Sequence, residues 1–249
     1  MTARLDGRVA LVTGAGQGIG RGTALALAKE GAAVGIAGRT LSKCEAVAAE
    51  IQTLGGRALP IACDVGVRVQ VDAAVAATVS AFGGLDILVN NAQASGQAAL
   101  ADTTDEDVDL AWRTGPLATL YAMQSALPYL RANGGGTVVN FGSSTAIEGN
   151  VAFGAYAMAK EAIRGLSRVA AREWGPFGIR VNVIVPNALS PASEDFRDAY
   201  PERFARMEAR VPLGRVGDPE NDIGRAVVAL AADDLTYLTG QTLMLTGGA

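Results

Sequence analysis

Histidine is absent from this 249-residue chain, and cysteine occurs only twice, at Cys44 and Cys63. Without histidine, a mixed Cys/His zinc site cannot be assembled. Two cysteines in a chain of this length predict packing residues rather than a disulfide or a redox pair. We therefore expect neither a metal site nor a structural disulfide.

An excess of basic residues is also missing. The chain has 21 Lys and Arg against 25 Asp and Glu, and the basic residues are scattered. This composition argues against nucleic acid as a partner. No apolar run reaches the ~18 residues that span a bilayer, and the N-terminal residues lead directly into a predicted strand, with no secretory segment before it. We expect a cytoplasmic protein without membrane contact.

No Pro-, Gly- or Ser-rich linker and no internal repeat divides the chain, so we expect one domain. Short apolar runs at residues 8–13, 33–37, 58–63 and 87–90 alternate with segments of helical periodicity. This alternation is typical of an α/β fold with a parallel, doubly wound sheet, in which ligands bind at the carboxyl ends of the strands.

A glycine-rich loop, Gly14–Gly20, follows the first predicted strand and leads into the first predicted helix. In this arrangement, backbone N–H groups and the positive end of a helix dipole face an anion, and glycines let a pyrophosphate approach the backbone. A tight turn without a ligand is the alternative. The position of the loop favours dinucleotide binding.

The residues after the second predicted strand, Gly38 and Arg39, bear on the choice of dinucleotide. An acidic residue there would accept hydrogen bonds from a ribose and favour NAD, whereas an arginine can meet a 2′-phosphate. Arg39 therefore favours NADP. NAD remains possible because Arg39 could be surface charge and because Gln17 stands where a second basic residue would help.

Three polar residues follow later strands: Asp64 comes after the third, and Asn90 and Asn91 come at the end of the fourth. Each could cap a turn, as Asp and Asn often do. Because the carboxyl ends of parallel strands share one edge, we expect all three to contact the cofactor.

Tyr156 and Lys160 lie four residues apart in a segment of helical periodicity, so they share one helix face. A nearby cation lowers the pKa of a phenol from its usual ~10. Lys160 can supply that cation, and Ser143 can hold a substrate oxygen against the Tyr156 hydroxyl. In many helices, however, such a Tyr only packs and the Lys reaches solvent. The three side chains are candidates for a proton-transfer site.

Further short motifs accompany these residues. The complete set is Thr13–Gly20, Asp64–Val65, Asn90–Ala92, Ser143 with Tyr156 and Lys160, Arg180–Pro186, Pro212–Pro219 and Leu238–Gly248. Together they resemble the short-chain dehydrogenase/reductase family, from about Leu5 to the C-terminus. The resemblance implies one Rossmann-type domain over 1–249 with about seven parallel strands. It implies a dinucleotide-binding half at about 5–135, a catalytic and substrate half at about 136–249, and a lid at about 188–212.

The resemblance also implies roles for individual residues. Tyr156 would be the catalytic acid/base, Lys160 would lower its pKa and bind the nicotinamide ribose, and Ser143 would orient the substrate oxygen. The cofactor-binding residues would be Gly14, Gln17, Gly18, Ile19, Gly20, Arg39, Asp64, Val65, Asn91, Ala92, Tyr156, Lys160, Pro186 and Leu189. Substrate contacts would be Gln93, Thr145, Asn150, Phe153 and Asn187. A homodimer or tetramer is implied, through helices at about 104–131 and 156–175.

Three positions depart from the family pattern. Gly115 stands where an asparagine is usual in a proton relay, and Gln93 and Asn187 each replace a glycine. Pro116, next to Gly115, is expected to disturb the helix and could leave a carbonyl free for an altered relay. The amides of Gln93 and Asn187 could recognise a polar substrate group or satisfy a neighbouring loop.

The leading hypothesis is an oxidoreductase that transfers hydride between NADP(H) and a secondary alcohol or ketone. A fairly apolar substrate is expected from residues placed near the mouth: Phe141, Ile147, Phe153, Leu189 and Phe196. A helical stripe is expected to pack on the body or also to close as a lid: Phe196, Tyr200, Phe204 and Met207. The alternatives are an NAD-linked alcohol dehydrogenase and a dinucleotide-binding sensor or scaffold without turnover.

Overall fold

The computed structural model describes residues 3–249. Its framework is a seven-stranded parallel sheet, whose strands are β1 (Val9–Thr13), β2 (Ala33–Gly38), β3 (Arg57–Ala62), β4 (Ile87–Asn90), β5 (Gly136–Phe141), β6 (Ile179–Pro186) and β7 (Thr242–Leu245). The spatial order is β3-β2-β1-β4-β5-β6-β7. The predicted doubly wound α/β sheet is therefore confirmed.

The α-helices of the described residues connect these strands. They are α1 (Gly18–Lys29), α2 (Leu41–Thr53), α3 (Arg68–Phe82), α4 (Asp105–Trp112), α5 (Ala118–Ala132), α6 (Ser144–Glu148), α7 (Gly154–Trp174), α8 (Pro191–Ala199), α9 (Pro201–Glu208) and α10 (Arg225–Ala231). No helix within residues 3–249 is both long and apolar enough to cross a membrane.

The strands are apolar at successive positions, as expected for a sheet that helices cover on both faces. Within β1, Ala10 and Val12 pack with α1, α2 and α10, whereas Val9 and Leu11 pack with α3, α5 and α7. Successive side chains of a strand point to opposite faces, so both sets must be apolar. Each large side chain that is buried in this way stabilises the fold by roughly 1.5–3 kcal/mol.

The order of strands reverses direction between β1 and β4, which are neighbours although two strands lie between them in sequence. Chain connections leave this point towards opposite ends of the sheet, and a crevice opens at the carboxyl ends of the strands. The fold thus places the loops after β1 and β4 on either side of one crevice.

The helix expected at about 104–131 is not regular throughout. A π-helical segment, Arg113–Leu117, joins α4 to α5 and contains Pro116. Proline has no N–H for the helix ladder, and its ring crowds the preceding turn. The predicted disturbance at Pro116 is present, as a widened turn inside a continuous helix.

The expected lid at 188–212 contains two helices, because Pro201 begins a new helix after Tyr200. The expected single stripe is therefore divided between them. Phe204 is buried, whereas Tyr200 and Met207 are 51% and 43% exposed. Phe196 lies against Tyr200, with ring centroids 5.4 Å apart. Only part of the stripe packs on the body.

Candidate active site

The glycine loop between β1 and α1 is shaped by positions where a side chain cannot fit. Gly14 has a φ of +66°, in the left-handed region that favours glycine. A Cβ on Gly20 would lie 2.3 Å from the Gly14 carbonyl oxygen. The loop and the start of α1 therefore pack more closely than alanine would permit.

The loop after β4 supports the glycine loop from across the crevice. The Asn91 side-chain amide donates to the carbonyls of Thr13 and Gly14, at 2.9 and 3.2 Å. The Thr13 hydroxyl accepts from the backbone N–H groups of Asn91 and Ala92. These bonds hold both loops at a fixed spacing, which is the preorganisation that a binding site needs.

A cleft of about 410 Å³ lies along these loops. It contains many of the predicted cofactor-binding residues: Gly14, Gln17, Gly18, Ile19, Gly20, Arg39, Asp64, Val65, Asn91 and Ala92. Asp64 also fixes its own turn, because Oδ1 accepts from the Gly66 N–H at 2.9 Å. The sequence predicts that these residues share one edge of the sheet, and in the structure they line one cavity.

The outer end of the cleft is positively charged. Arg39 is exposed and makes no ion pair or hydrogen bond to any residue in the range 3–249. Lys43, on the first turns of α2, lines the same end and donates to Gln17 Oε1. Lys43 was not identified from the sequence, although its place in the first turn of the helix that follows Arg39 was an available signal.

Asn90 does not line this cleft, so the predicted cofactor contact at this residue is wrong. Its side chain is buried and donates to Asn140 Oδ1 at 2.8 Å. Asn140 in turn donates to Ser167 Oγ at 2.8 Å. Because buried amides need partners, this chain of hydrogen bonds fixes β4, β5 and α7 relative to one another.

The three predicted catalytic residues are brought together by β5 and α7. Ser143 lies two residues beyond the end of β5, and its side chain is close enough to Tyr156 to influence the pKa of the phenol. The Lys160 ammonium lies 5.6 Å from the centroid of the Tyr156 ring. Its Nζ donates to the Phe141 carbonyl at 2.9 Å, across the α7–β5 contact. The arrangement joins a hydroxyl, a phenol and an amine in one cluster.

Burial dominates the acid–base properties of this cluster. It raises the pKa of Tyr156, and the hydrogen bond with Ser143 partly opposes this rise. Burial also lowers the pKa of Lys160 to about 7, so that the charged and neutral forms are both present near neutral pH. The expected lowering of the Tyr156 pKa by Lys160 is not found in this structure, where burial of the phenol has the larger effect.

Two further predicted cofactor contacts, Pro186 and Leu189, do not line the cleft; Ser190 and Pro191 do. The backbone N–H of Leu189 instead donates to the Gly217 carbonyl at 3.0 Å. Asn187 pairs through its backbone with Leu245 and Gly217. For these three residues, a ligand role stays a prediction.

The predicted substrate contacts lie in different surroundings, and Phe153 contacts Tyr156. The Phe153 ring meets the Tyr156 ring edge-on, with centroids 6.0 Å apart. Thr145 is half-buried and Asn150 is exposed. Gln93 lines the cofactor cleft. Phe141, expected at the mouth, lies in the core instead, because it is only 3% exposed.

A family model described as enoyl-(acyl carrier protein) reductase matches residues 14–249. The chain belongs to the short-chain dehydrogenase/reductase family. It is 44% identical to a 12α-hydroxysteroid dehydrogenase of Clostridium sp., with 98% of this chain and 96% of the relative covered. It is 34% identical to the 3-oxoacyl-(acyl-carrier-protein) reductase of Thermotoga maritima, with 98% of both chains covered.

Solved structures agree with this membership. A 7α-hydroxysteroid dehydrogenase complexed with NADH and 7-oxo glycochenodeoxycholic acid superposes with a TM-score of 0.92 at 31% identity. The match covers 100% of this chain and 96% of the other. The chain is therefore an NAD(P)-dependent short-chain dehydrogenase/reductase that acts on a CH–OH or C=O group of a small molecule.

The residues present suit a nicotinamide dinucleotide. Gly18, in the wall of the cleft, has a φ of +54°, which favours glycine, and a Cβ there would crowd Pro191 Cδ at 3.1 Å. The N-terminus of α1 faces the same space and can hold a pyrophosphate through its free N–H groups. The chain thus has the binding site for a nicotinamide dinucleotide that its family leads us to expect.

Proposed function

We propose that this chain is an NADP(H)-dependent dehydrogenase/reductase for a secondary alcohol or ketone on a large apolar skeleton. The observation that carries the choice of NADP(H) is the pair of cations, Arg39 and Lys43, at one end of the cofactor cleft. A phosphate placed there would make charge-assisted contacts with both.

The cofactor, when bound, supplies the hydride acceptor or donor. The chain supplies the proton transfer and the orientation. In our proposal, Ser143 donates a hydrogen bond to the substrate oxygen and holds it beside the Tyr156 hydroxyl. Tyr156 gives a proton to that oxygen in ketone reduction and takes it back in alcohol oxidation. Lys160, held by the Phe141 carbonyl, contributes positive charge beneath the phenol when it is protonated.

Exposed apolar side chains near Tyr156 support an apolar substrate. Leu100 is 78% exposed and packs on Gly154, at the start of the helix that carries Tyr156. Ile147 and Val151, between Ser143 and Tyr156, are 42% and 90% exposed. Large apolar side chains exposed around a site are typical of a binding mouth. The two hydroxysteroid dehydrogenase relatives make hydroxysteroids the first substrate class to test.

A titration of NADPH and NADH, followed by nicotinamide fluorescence, tests the cofactor choice. We expect tighter binding of NADPH by the unaltered protein and loss of this preference in Arg39→Asp. Arg172→Asp is the matched control, because Arg172 is exposed on α7 and does not line the cleft. Equal or tighter binding of NADH by the unaltered protein would instead favour an NAD-linked dehydrogenase, the cofactor form seen in the 7α-hydroxysteroid relative.

Self-association to a dimer or tetramer in the cytoplasm is part of the same proposal. Trp112, Met158 and Val169, on α4 and α7, are 39%, 52% and 53% exposed. Such apolar exposure on neighbouring helices suits an interface. Light scattering on the eluting protein should give a mass of two or four chains, and a monomer at micromolar concentration would contradict it.

A further inference from the structure

The side-chain amide of Gln93 is buried without a hydrogen-bonding partner. Its Nε2 and Oε1 atoms are both enclosed, and neither bonds to any residue in the described range 3–249. A primary amide has two donors and an acceptor, and enclosing them unpaired costs stability. Such an arrangement in a native protein calls for a compensating role.

Gly115 provides the space that the amide occupies. A Cβ at this position would lie 3.1 Å from Gln93 Nε2 and 3.2 Å from Cδ. The φ of Gly115 is not in the left-handed region, so its backbone does not itself require glycine. The glycine is therefore explained by the amide that lies over it. The two departures from the family pattern are in contact.

The neighbouring residues hold the amide in place. The backbone N–H of Ala94 donates to Thr114 Oγ1 at 3.0 Å, and the Thr114 hydroxyl also lies 2.7 Å from the Leu110 carbonyl, to which it can donate. The loop after β4 is thereby attached to the π-helical segment, one residue from both Gln93 and Gly115. Because the backbone on this side is fixed, the Gln93 amide can move only by rotation about its side-chain bonds.

Gln93 lies at the catalytic end of the cleft. β4 and β5 are parallel neighbours with Asn90 opposite Asn140, so Gln93 and Ser143 each stand three residues beyond a paired position. Arg39 follows β2, on the other side of β1 from β4. In the dinucleotide that we propose, the nicotinamide half therefore lies towards Gln93 and the adenosine half towards Arg39.

We propose that Gln93 is a cofactor-positioning residue. Its amide rests over Gly115 in the ligand-free protein and turns into the cleft to hydrogen-bond the uncharged polar groups of the nicotinamide half, its carboxamide or ribose hydroxyls. This inference rests on the proposed function. The unpaired Gln93 amide lowers the free energy of unfolding of the ligand-free protein. The hydrogen bonds that it makes to the bound cofactor offset this cost.

Gln93→Met tests this role, because it keeps the length of the side chain and removes the amide. We expect a melting temperature about 2–4 °C higher in the free protein and NADPH binding about fivefold to tenfold weaker. Adenosine 2′,5′-bisphosphate, which lacks the nicotinamide half, should bind unchanged. Gln97→Met is the matched control, because Gln97 is an exposed glutamine of the same loop. It should alter neither quantity.

The Gln93→Met measurements can also contradict the proposed role. Unchanged NADPH affinity in Gln93→Met, or an equal loss for NADPH and adenosine 2′,5′-bisphosphate, would overturn the role at the nicotinamide half. A lower melting temperature with unchanged binding would show a purely structural side chain. An unaltered protein that binds neither NADPH nor NADH would overturn the proposed function and this inference with it.

A double-mutant cycle tests the contact itself and remains available if methionine packs poorly. Gly115→Ala should lower the melting temperature in the presence of Gln93, because the added methyl group meets the amide. In Gln93→Gly, the same change should be neutral or stabilising, and NADPH binding should be weakened as in Gln93→Met. An equal loss of stability in both backgrounds would contradict the pairing.

Discussion

The Lys160 ammonium donates a 2.9 Å hydrogen bond to the carbonyl oxygen of Phe141 inside the protein core. The bond joins α7, the helix that carries Tyr156 and Lys160, to β5, the strand that precedes Ser143. Burial lowers the pKa of Lys160 from 10.5 to about 7. The free energy of unfolding of the protein must therefore depend on pH. Between these two values the unfolded chain binds the proton that the folded chain releases.

The free energy of unfolding should therefore increase with pH between about 7 and 10, by up to ~1.4 kcal/mol per pH unit from this group. Below pH 7 both states hold the proton, and the full cost of the buried charge remains. Denaturant titrations at pH 7, 8 and 9 should show this slope in the unaltered protein and lose it in Lys160→Met. Lys29→Met, at an exposed lysine, is the control. Parallel profiles for all three proteins would contradict the burial of a titrating Lys160.

Tyr156→Phe should reduce turnover by about 10²- to 10⁴-fold, because it removes the group that exchanges a proton with the substrate oxygen. The Phe153 ring, which packs edge-on against Tyr156, keeps an aromatic neighbour in the variant. Binding of NADPH should change less than threefold. Retained turnover would show that a group other than Tyr156 exchanges the proton, whereas a lack of turnover in the unaltered protein would favour the sensor or scaffold alternative.

Lys43→Gln should weaken NADPH binding by about tenfold, the loss of one charge-assisted contact to a phosphate. NADH binding should be unaffected, because it has no phosphate at that end. Lys29→Gln is a suitable control, since Lys29 pairs with Glu220 and does not line the cleft. Equal losses for both dinucleotides would show that Lys43 acts through the fold of the glycine loop.

Gly20→Ala should destabilise the protein by roughly 1–3 kcal/mol or more and prevent dinucleotide binding. Its Cβ would fall 2.3 Å from the Gly14 carbonyl, so the loop or α1 must move. Gly165→Ala in α7 is a matched control, because beyond the adjacent backbone of α7 no atom of the described chain lies within 4 Å of its Cβ position. That change should stabilise α7 by roughly 0.5–1 kcal/mol. Thermal unfolding and NADPH titration of both variants measure the difference.

Local patterns were sufficient for the first four strands, the glycine loop and the placement of Tyr156 and Lys160 on one helix face, whereas the number of seven strands came from the family resemblance. Each depends on neighbours in sequence: the apolar run of β1, the strand–loop–helix order around Gly14–Gly20, and a spacing of four on one helix. These features are determined by backbone geometry, which a sequence displays directly.

Contacts between distant residues were not predictable in this way. Asn90 hydrogen-bonds Asn140, which lies 50 residues away in sequence. Because of this partner, Asn90 is a structural amide rather than the cofactor contact that its position predicts. Gln93 and Gly115 were recognised as two unrelated departures, since only the folded structure brings them together. Lys160 was expected to be a plain cation because sequence does not show how completely a side chain is desolvated.

The bonds from Asn91 to Thr13 and Gly14 also bear on how the protein is made. They join residues separated by 77 or 78 positions, so the glycine loop is synthesised long before the residue that fixes it. On the ribosome, β1 and β2 can pair while Asn91 is still untranslated or inside the exit tunnel. The finished nucleotide cradle therefore forms only after β4 has emerged and inserted beside β1, and a nascent chain that ends before Asn91 should not be retained by immobilised nucleotide.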